Sequence, residues 1–365
     1  MTRKTMILVS SNRAPTVPET DIVVTGRGDD DCLDLAFINR TFCLVGLPLR
    51  RQFERDKKTR KAVEPQREVS AFSRVDDRYS FTVNSRTVVL PSEIHPNGLH
   101  VPIGIPFGAK ARLIILWMTT QSRLTGSRWL ELGRISDWLE SVGIAPHPES
   151  YVAAREQLIR LAFCHFTMVY ADREKRQDLF RDCSLIDSKI FAQDDIANYG
   201  AGELKKLRYP VGIQLTTQAF EQFTGPDVIP ICTEALRKIN NNAVAIDVYL
   251  YLHFLLPSIP RGEKVLLSWK KLARQFGNVG ETAARFRQMF HVSVEQALHA
   301  YRDADFNITD EGYELRYSPP AEPQKTLVAV SSDPTRTVLK THHRVRNRIQ
   351  PPPGIVSAAE GDKED

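Results

Sequence analysis

Lys264-Val-Leu-Leu-Ser-Trp-Lys-Lys-Leu-Ala-Arg-Gln-Phe-Gly277 decides the fold, because the chain contains its pattern twice. The earlier copy is Leu130-Glu-Leu-Gly-Arg-Ile-Ser-Asp-Trp-Leu-Glu-Ser-Val-Gly143. With Gly277 laid over Gly143, Trp269 falls on Ile135, Leu272 on Trp138, Ala273 on Leu139 and Phe276 on Val142. Each copy follows a long apolar helix and precedes a second helix and a strand pair. Helix, short strand, helix, turn, helix, β-hairpin is the order of a winged helix. The expected fold is therefore α+β, with two tandem winged-helix domains and flexible N- and C-terminal segments.

Outward from the second copy, Ala243–Leu256 reads as the leading helix, ended by Pro257 and Pro260. Lys264–Leu267 is a short strand, Trp269–Phe276 the repeated helix, and Thr282–Tyr301 the third helix. Phe306 and Ile308 alternate, Thr309-Asp-Glu-Gly312 turns, and Tyr313, Leu315 and Tyr317 alternate back. Around the first copy, residues 109–124 form a helix stopped by Thr125-Gly126. Ser150 caps a helix over 151–163, and His165–Tyr170 pairs with Leu185–Phe191 across a charged tip, Arg173–Arg181. Tyr79–Leu90 reads as a strand pair turning at Asn84-Ser85, residues 91–108 as a loop, and 194–209 as a linker. The expected division is 1–78, a partly disordered N-terminal segment; 79–209, the first winged helix; 210–320, the second; and 321–365, a disordered basic tail.

The chain has 365 residues, 42% hydrophobic and 25% charged, with a net charge of +5. Its longest apolar run, Ala243–Leu256, is broken by Asp247 and His253 and falls short of the roughly 18 residues that span a bilayer. The apolar stretch after Met1 is too short for a secretory signal. A cytosolic protein away from membranes is expected. No two of the five cysteines stand as Cys-x-x-Cys, and no histidines at finger spacing accompany them, so free thiols rather than a zinc site are expected. No phosphate-binding Gly-x-x-x-x-Gly-Lys-Ser/Thr occurs, and no nucleophile triad or metal-spaced carboxylate cluster stands out. The expectation is a binding protein without catalytic residues, metal or cofactor.

A winged helix lays its third helix in the major groove, which requires one buried face and one face of polar donors. At about 100° per residue, Phe286, Phe290, Val294, Ala297 and Tyr301 fall within about 80° of each other. Opposite them lie Arg285 and Gln288, one turn apart; Arg can bond guanine and Gln adenine. Arg287 and His291 flank that face within reach of phosphate, and Lys270, Lys271 and Arg274 lie on the preceding helix. In the first copy, Gln157 and Arg160 face away from an apolar side made by Leu158, Ile159 and Ala162. Arg155 falls on that apolar side, as an internal pair, a snorkelling stem or a DNA contact. The tip cations Arg173, Lys175, Arg176 and Arg181 suit either a phosphate track or a solvated loop. So do the mixed-charge run Arg50–Lys61 and the basic segment Arg336–Arg348, which otherwise read as linker and inert tail.

Six stretches carry a family resemblance: Gly104–Ser122, Thr125–Arg134, Ala154–Leu158, Ala243–Leu252, Leu267–Gly277 and Tyr313–Pro320. Together they resemble the RepA-type plasmid-encoded replication initiators of bacteria over roughly residues 80–320. The resemblance implies a protein that binds double-stranded DNA at a plasmid origin, commonly at repeated sites. It further implies duplex opening, recruitment of the host helicase and polymerase machinery, and, more loosely, copy control, self-repression and a homodimer. The competing reading is a winged-helix transcriptional repressor that does not melt DNA. A nicking relaxase or primase is a third reading, for which the sequence offers no site.

Overall fold

The computed structural model describes residues 7–8, 20–24, 35–54, 67–75, 79–93, 96–132, 135–141, 143–145, 147–172, 177–189, 191, 194–208, 210–277, 281–320 and 327–331. The fold mixes helix and sheet, as α+β requires. Two helices buried on every side form its centre. Gly108–Thr125 contains no internal proline or glycine, and residues 111–120 are all buried. A helix apolar all round belongs in a core rather than on a surface. Its last turn closes at Gly126, which takes a left-handed φ of 63° and returns its N–H to the Ser122 carbonyl at 2.9 Å. The second central helix, Ala243–Leu255, starts at Asn242, whose side chain accepts from Val244 and Ala245 N–H at 3.0 and 3.2 Å. Residues 245–255 of that helix are buried.

One hydrophobic cluster spans both halves of the chain, running from Leu113, Trp117 and Leu158 through Tyr249 and Leu255 to Phe290 and Tyr313. Strand pairing also crosses residue 210. Trp129–Glu131 pairs with Gly212–Leu215, which pairs with Ile186–Lys189. Leu35–Asn39 pairs with Val228–Cys232. In the last third, Gly312–Arg316 lies between Lys264–Ser268 and Phe306–Thr309 in a three-stranded antiparallel sheet. The element order there is helix, strand, helix, helix, hairpin, with Thr282 capping the Ala283–Ala300 helix.

Several expectations are corrected. Tyr79–Leu90 is not a hairpin. Tyr79–Ser85 runs straight and pairs with Ala71–Val75 on one side and Cys164–Asp172 on the other. Thr87–Leu90 pairs instead with Leu99–Pro102, inside the stretch expected as a loop. An alternating pattern fixes a strand and its faces but not its partner. The partner of Cys164–Asp172 is Gln177–Ser184 rather than 185–191, so Arg181 belongs to a strand and not to a tip. The expected helix at 151–163 begins at Pro148, where proline at the first helical position needs no N–H partner, and Ser150 lies inside it. Residues 194–209 are not a plain linker: Asp195–Gly200 is helical, and Tyr199 donates to the Ile103 carbonyl. Leu327–Ser331 pairs with Thr20–Val24, and Ile7–Leu8 joins them. Residues 55–61 of the charged run, the tip at 173–176 and the basic segment 336–348 lie outside the described residues.

Candidate nucleic-acid interface

The last third of the chain places one long helix with a face to solvent. Ser268 ends a strand and caps Trp269–Phe276, accepting from Lys271 N–H at 3.3 Å. The hairpin is tied to the start of that helix: Trp269 donates through its backbone N–H to Glu311 O at 2.9 Å and through Nε1 to Asp310 O at 3.0 Å. Gly312 is needed there because a Cβ would stand 2.0 Å from the Leu267 carbonyl oxygen. The Ala283–Ala300 helix buries Phe286, Phe290, Ser293, Val294 and Ala297. Phe290 packs on Phe286 at 5.0 Å, Phe276 at 5.4 Å and Tyr313 at 5.9 Å between ring centres.

Opposite that stripe Arg285 and Gln288 are exposed, as are Arg287 at its edge and Lys270 and Arg274 on the preceding helix, while Lys271 is half-buried. Arg287 stacks over the Trp269 ring at 5.2 Å, which fixes the direction of its guanidinium. His291 departs from its expected role as a free phosphate ligand. It is half-buried, its Nδ1 shares a 2.9 Å hydrogen bond with the Tyr313 hydroxyl, and its ring meets Trp269 edge-on. Burial pushes the Tyr313 phenol up to about 12, with the Glu295 charge adding to it. Between Lys264 and Arg302 the charged residues are Lys264, Lys270, Lys271, Arg274, Arg285, Arg287 and Arg302 against only Glu281 and Glu295. The hairpin is the reverse: its tip presents Asp310 and Glu311, both exposed. Positive charge is therefore concentrated on the helices, and the hairpin tip is negative.

The first copy offers no such face, which corrects the placement of Gln157 and Arg160 as DNA contacts. In the Pro148–Ala162 helix, Ala154 and Glu156–Ala162 are all buried. Arg160 is 1% exposed, bonded to both Glu68 oxygens at 2.6 and 2.9 Å, to Glu156, and to Ile105 O. Burial is the largest influence on its pKa and lowers it, but the Glu68 hydrogen bond, with Tyr199 and the Glu68 and Glu156 charges, together raise it above the ordinary value. Gln157 accepts from Phe107 N–H at 2.8 Å, which caps the neighbouring central helix. Arg51 completes the cluster by pairing with Glu68 and Glu156. Arg155, by contrast, is half-exposed and donates to the Leu207 carbonyl, the internal partner that its position on the apolar side allowed. Arg173, Lys175 and Arg176 lie outside the described residues.

A polar lock joins the two halves. Arg112 and Asp247, each on a central helix, meet in a two-pronged pair at 2.6 Å on both arms. Arg112 also donates to the carbonyls of Leu47, Pro48 and Gly108. Arg74 donates to Arg274 O and Gly277 O at 3.0 and 3.1 Å, satisfying carbonyls at the end of the Trp269–Phe276 helix. Burial pushes its guanidinium down to about 10, against the pull of the Asp247 carboxylate. Gln275 donates to Leu44 O at 2.9 Å. The Trp269–Phe276 helix is thus held by residues among the first 80 as well as by its neighbours in the last third of the chain. The sequence carried one sign of this lock, an aspartate inside its longest apolar run.

Residues 105–271 match the sequence model of the family RepA_C, described as plasmid encoded RepA protein. No curated protein matches the chain in sequence. Among solved structures, the chain is similar to the crystal structure of RctB domains 2–3, spanning RctB residues 155–483, at 12% identity and a TM-score of 0.39. That match covers 71% of this chain and 82% of the other. Selenomethionine-derivative crystals of RctB domains 2 and 3 match at 12% identity and a TM-score of 0.40, over 69% and 92%.

Proposed function

We propose that this chain, RepA-like over residues 105–271, is a plasmid replication initiator that binds duplex origin DNA without catalysing a reaction itself. The observation that carries the reading is the exposed pair Arg285 and Gln288 on a helix whose opposite face is buried. A winged-helix reading of residues 243–316 is supported by the element order and by the central position of Gly312–Arg316 in its sheet. In that reading the Ala283–Ala300 helix enters the major groove. Arg285 takes guanine through O6 and N7, and Gln288 takes adenine through N6 and N7. Lys270, Lys271, Arg274 and Arg287 bind phosphates, which adds affinity that falls with salt.

The first copy of the motif serves as scaffold. Its third helix is enclosed by Arg51 and Glu68, so it presents the second copy instead of reading bases. Opening of an adjacent AT-rich duplex, recruitment of host helicase and polymerase, action at repeated sites and a cytosolic location complete the proposal. Mapping unpaired bases on a supercoiled plasmid carrying the DNA that flanks the gene tests it. Unpaired bases beside the bound site, and replication from the cloned fragment, are expected. Binding with no unpaired bases and no replication would leave a repressor.

A further inference from the structure

The outward face of the Ala283–Ala300 helix is not wholly polar. Val292 is 48% exposed and Met289 55%. At about 100° per residue, Arg285, Gln288 and Val292 lie within about 60° of one another, so Val292 continues the same line one turn beyond Gln288. Met289 adjoins Arg285 on its other side. The core stripe is already occupied by Phe286, Phe290, Val294 and Ala297, and neither Val292 nor Met289 belongs to it. A single exposed apolar side chain is ordinary. Two neighbours on the face that also carries Arg285 and Gln288, with Lys270 and Arg274 exposed on the adjacent helix, call for an apolar feature on a polyanion. The major groove of DNA has one, the C5-methyl of thymine.

We propose that Val292, flanked by Met289, reads thymine in the recognised site by packing against its methyl group. The inference rests on the groove-reading role of this helix and adds a base identity to it. Arg285, Gln288 and Val292 would then read guanine, adenine and thymine, in the order set by the line they form on the helix. Val292 is a specificity-determining side chain in this assignment, with no hydrogen bond to offer.

The test uses the full chain and a duplex that it selects from random DNA, prepared in two forms. One contains thymine; in the other deoxyuridine replaces it, which keeps base pairing and removes only the methyl. Binding to the uracil duplex is expected to be about three- to fivefold weaker, the value of one buried methyl group. Val292→Ala should weaken binding to the thymine duplex by a similar factor and leave binding to the uracil duplex unchanged, because each change removes the same contact. Equal affinity of the full chain for both duplexes, or an equal loss on both in Val292→Ala, overturns the proposal. Arg285→Ala on the same duplexes separates the two levels. If it has no effect, the helix does not read DNA and the proposed function falls as well. If it weakens binding while uracil does not, only the thymine assignment falls.

Discussion

Replacing Asp247 by alanine should unlock the two halves of the molecule. The Asp247 and Arg112 side chains are 6% and 4% exposed, and both arms of their pair measure 2.6 Å. Asp247→Ala leaves a guanidinium buried with only the carbonyls of Leu47, Pro48 and Gly108 for company. Removing one member of a buried ion pair costs about 3–5 kcal/mol, because the remaining charge stays desolvated. With a denaturant slope of about 3 kcal/mol/M, that is a fall of about 1–1.7 M in the urea midpoint. Fluorescence of the buried Trp117 and Trp138 reports the transition. The double change Arg112→Met with Asp247→Leu should recover part of the loss, since no lone charge remains. It should not recover all of it, since the same three carbonyls lose their donor. A midpoint shift under about 0.3 M for Asp247→Ala, or a double variant less stable than the single one, would refute the lock.

Other perturbations follow from the same structure. Arg160→Ala leaves Glu68 and Glu156 to Arg51 and should cost about 3 kcal/mol in urea unfolding, the low end for breaking a buried pair, while the folded fraction binds DNA as tightly as the parent in a gel-shift titration. His253 is buried between Tyr249 and Tyr301, and burial pushes its imidazole down to about 4 from the ordinary 6.5. The unfolded chain therefore binds the extra proton between those values. The contribution is complete above pH 6.5 and is lost as pH falls toward 4, by about 3 kcal/mol. Urea midpoints at pH 7.5 and 4.5 should differ less in His253→Phe than in the parent. Asp310→Asn combined with Glu311→Gln removes the two exposed carboxylates of the hairpin tip and should tighten binding to any duplex several-fold at low salt, with the gain vanishing at high salt. Unchanged affinity would place the tip away from the DNA.

What the sequence reveals depends on whether the deciding interaction is local. The end of the first central helix was readable, because Gly126 acts on the residues next to it. The Phe306–Arg316 hairpin was readable for the same reason. Strand partners were not: Tyr79–Ser85 and Thr87–Leu90 look like one hairpin, and only tertiary packing sends them to different sheets. In the Pro148–Ala162 helix the apolar side made by Leu158, Ile159 and Ala162 was placed inward correctly, but the side carrying Gln157 and Arg160 is buried as well. Burial on nearly all sides leaves no polar face for a periodicity argument to find, and the partner that makes Arg160 affordable inside is Glu68, 92 residues upstream. In the Ala283–Ala300 helix one face is truly solvated, so the same argument placed Arg285 and Gln288 outward correctly. It failed for His291, whose partner Tyr313 comes from the hairpin.

Footprinting the full chain and Arg285→Ala on the DNA flanking the gene bears on DNA reading by the Ala283–Ala300 helix without intermediaries. A protected site is expected for the parent. For Arg285→Ala, site affinity should fall by about 1–3 kcal/mol with preference relaxed at one base position, and affinity for random DNA should be nearly unchanged. Equal losses on site and random DNA, or a footprint that Arg285→Ala leaves intact, would contradict base reading by this helix.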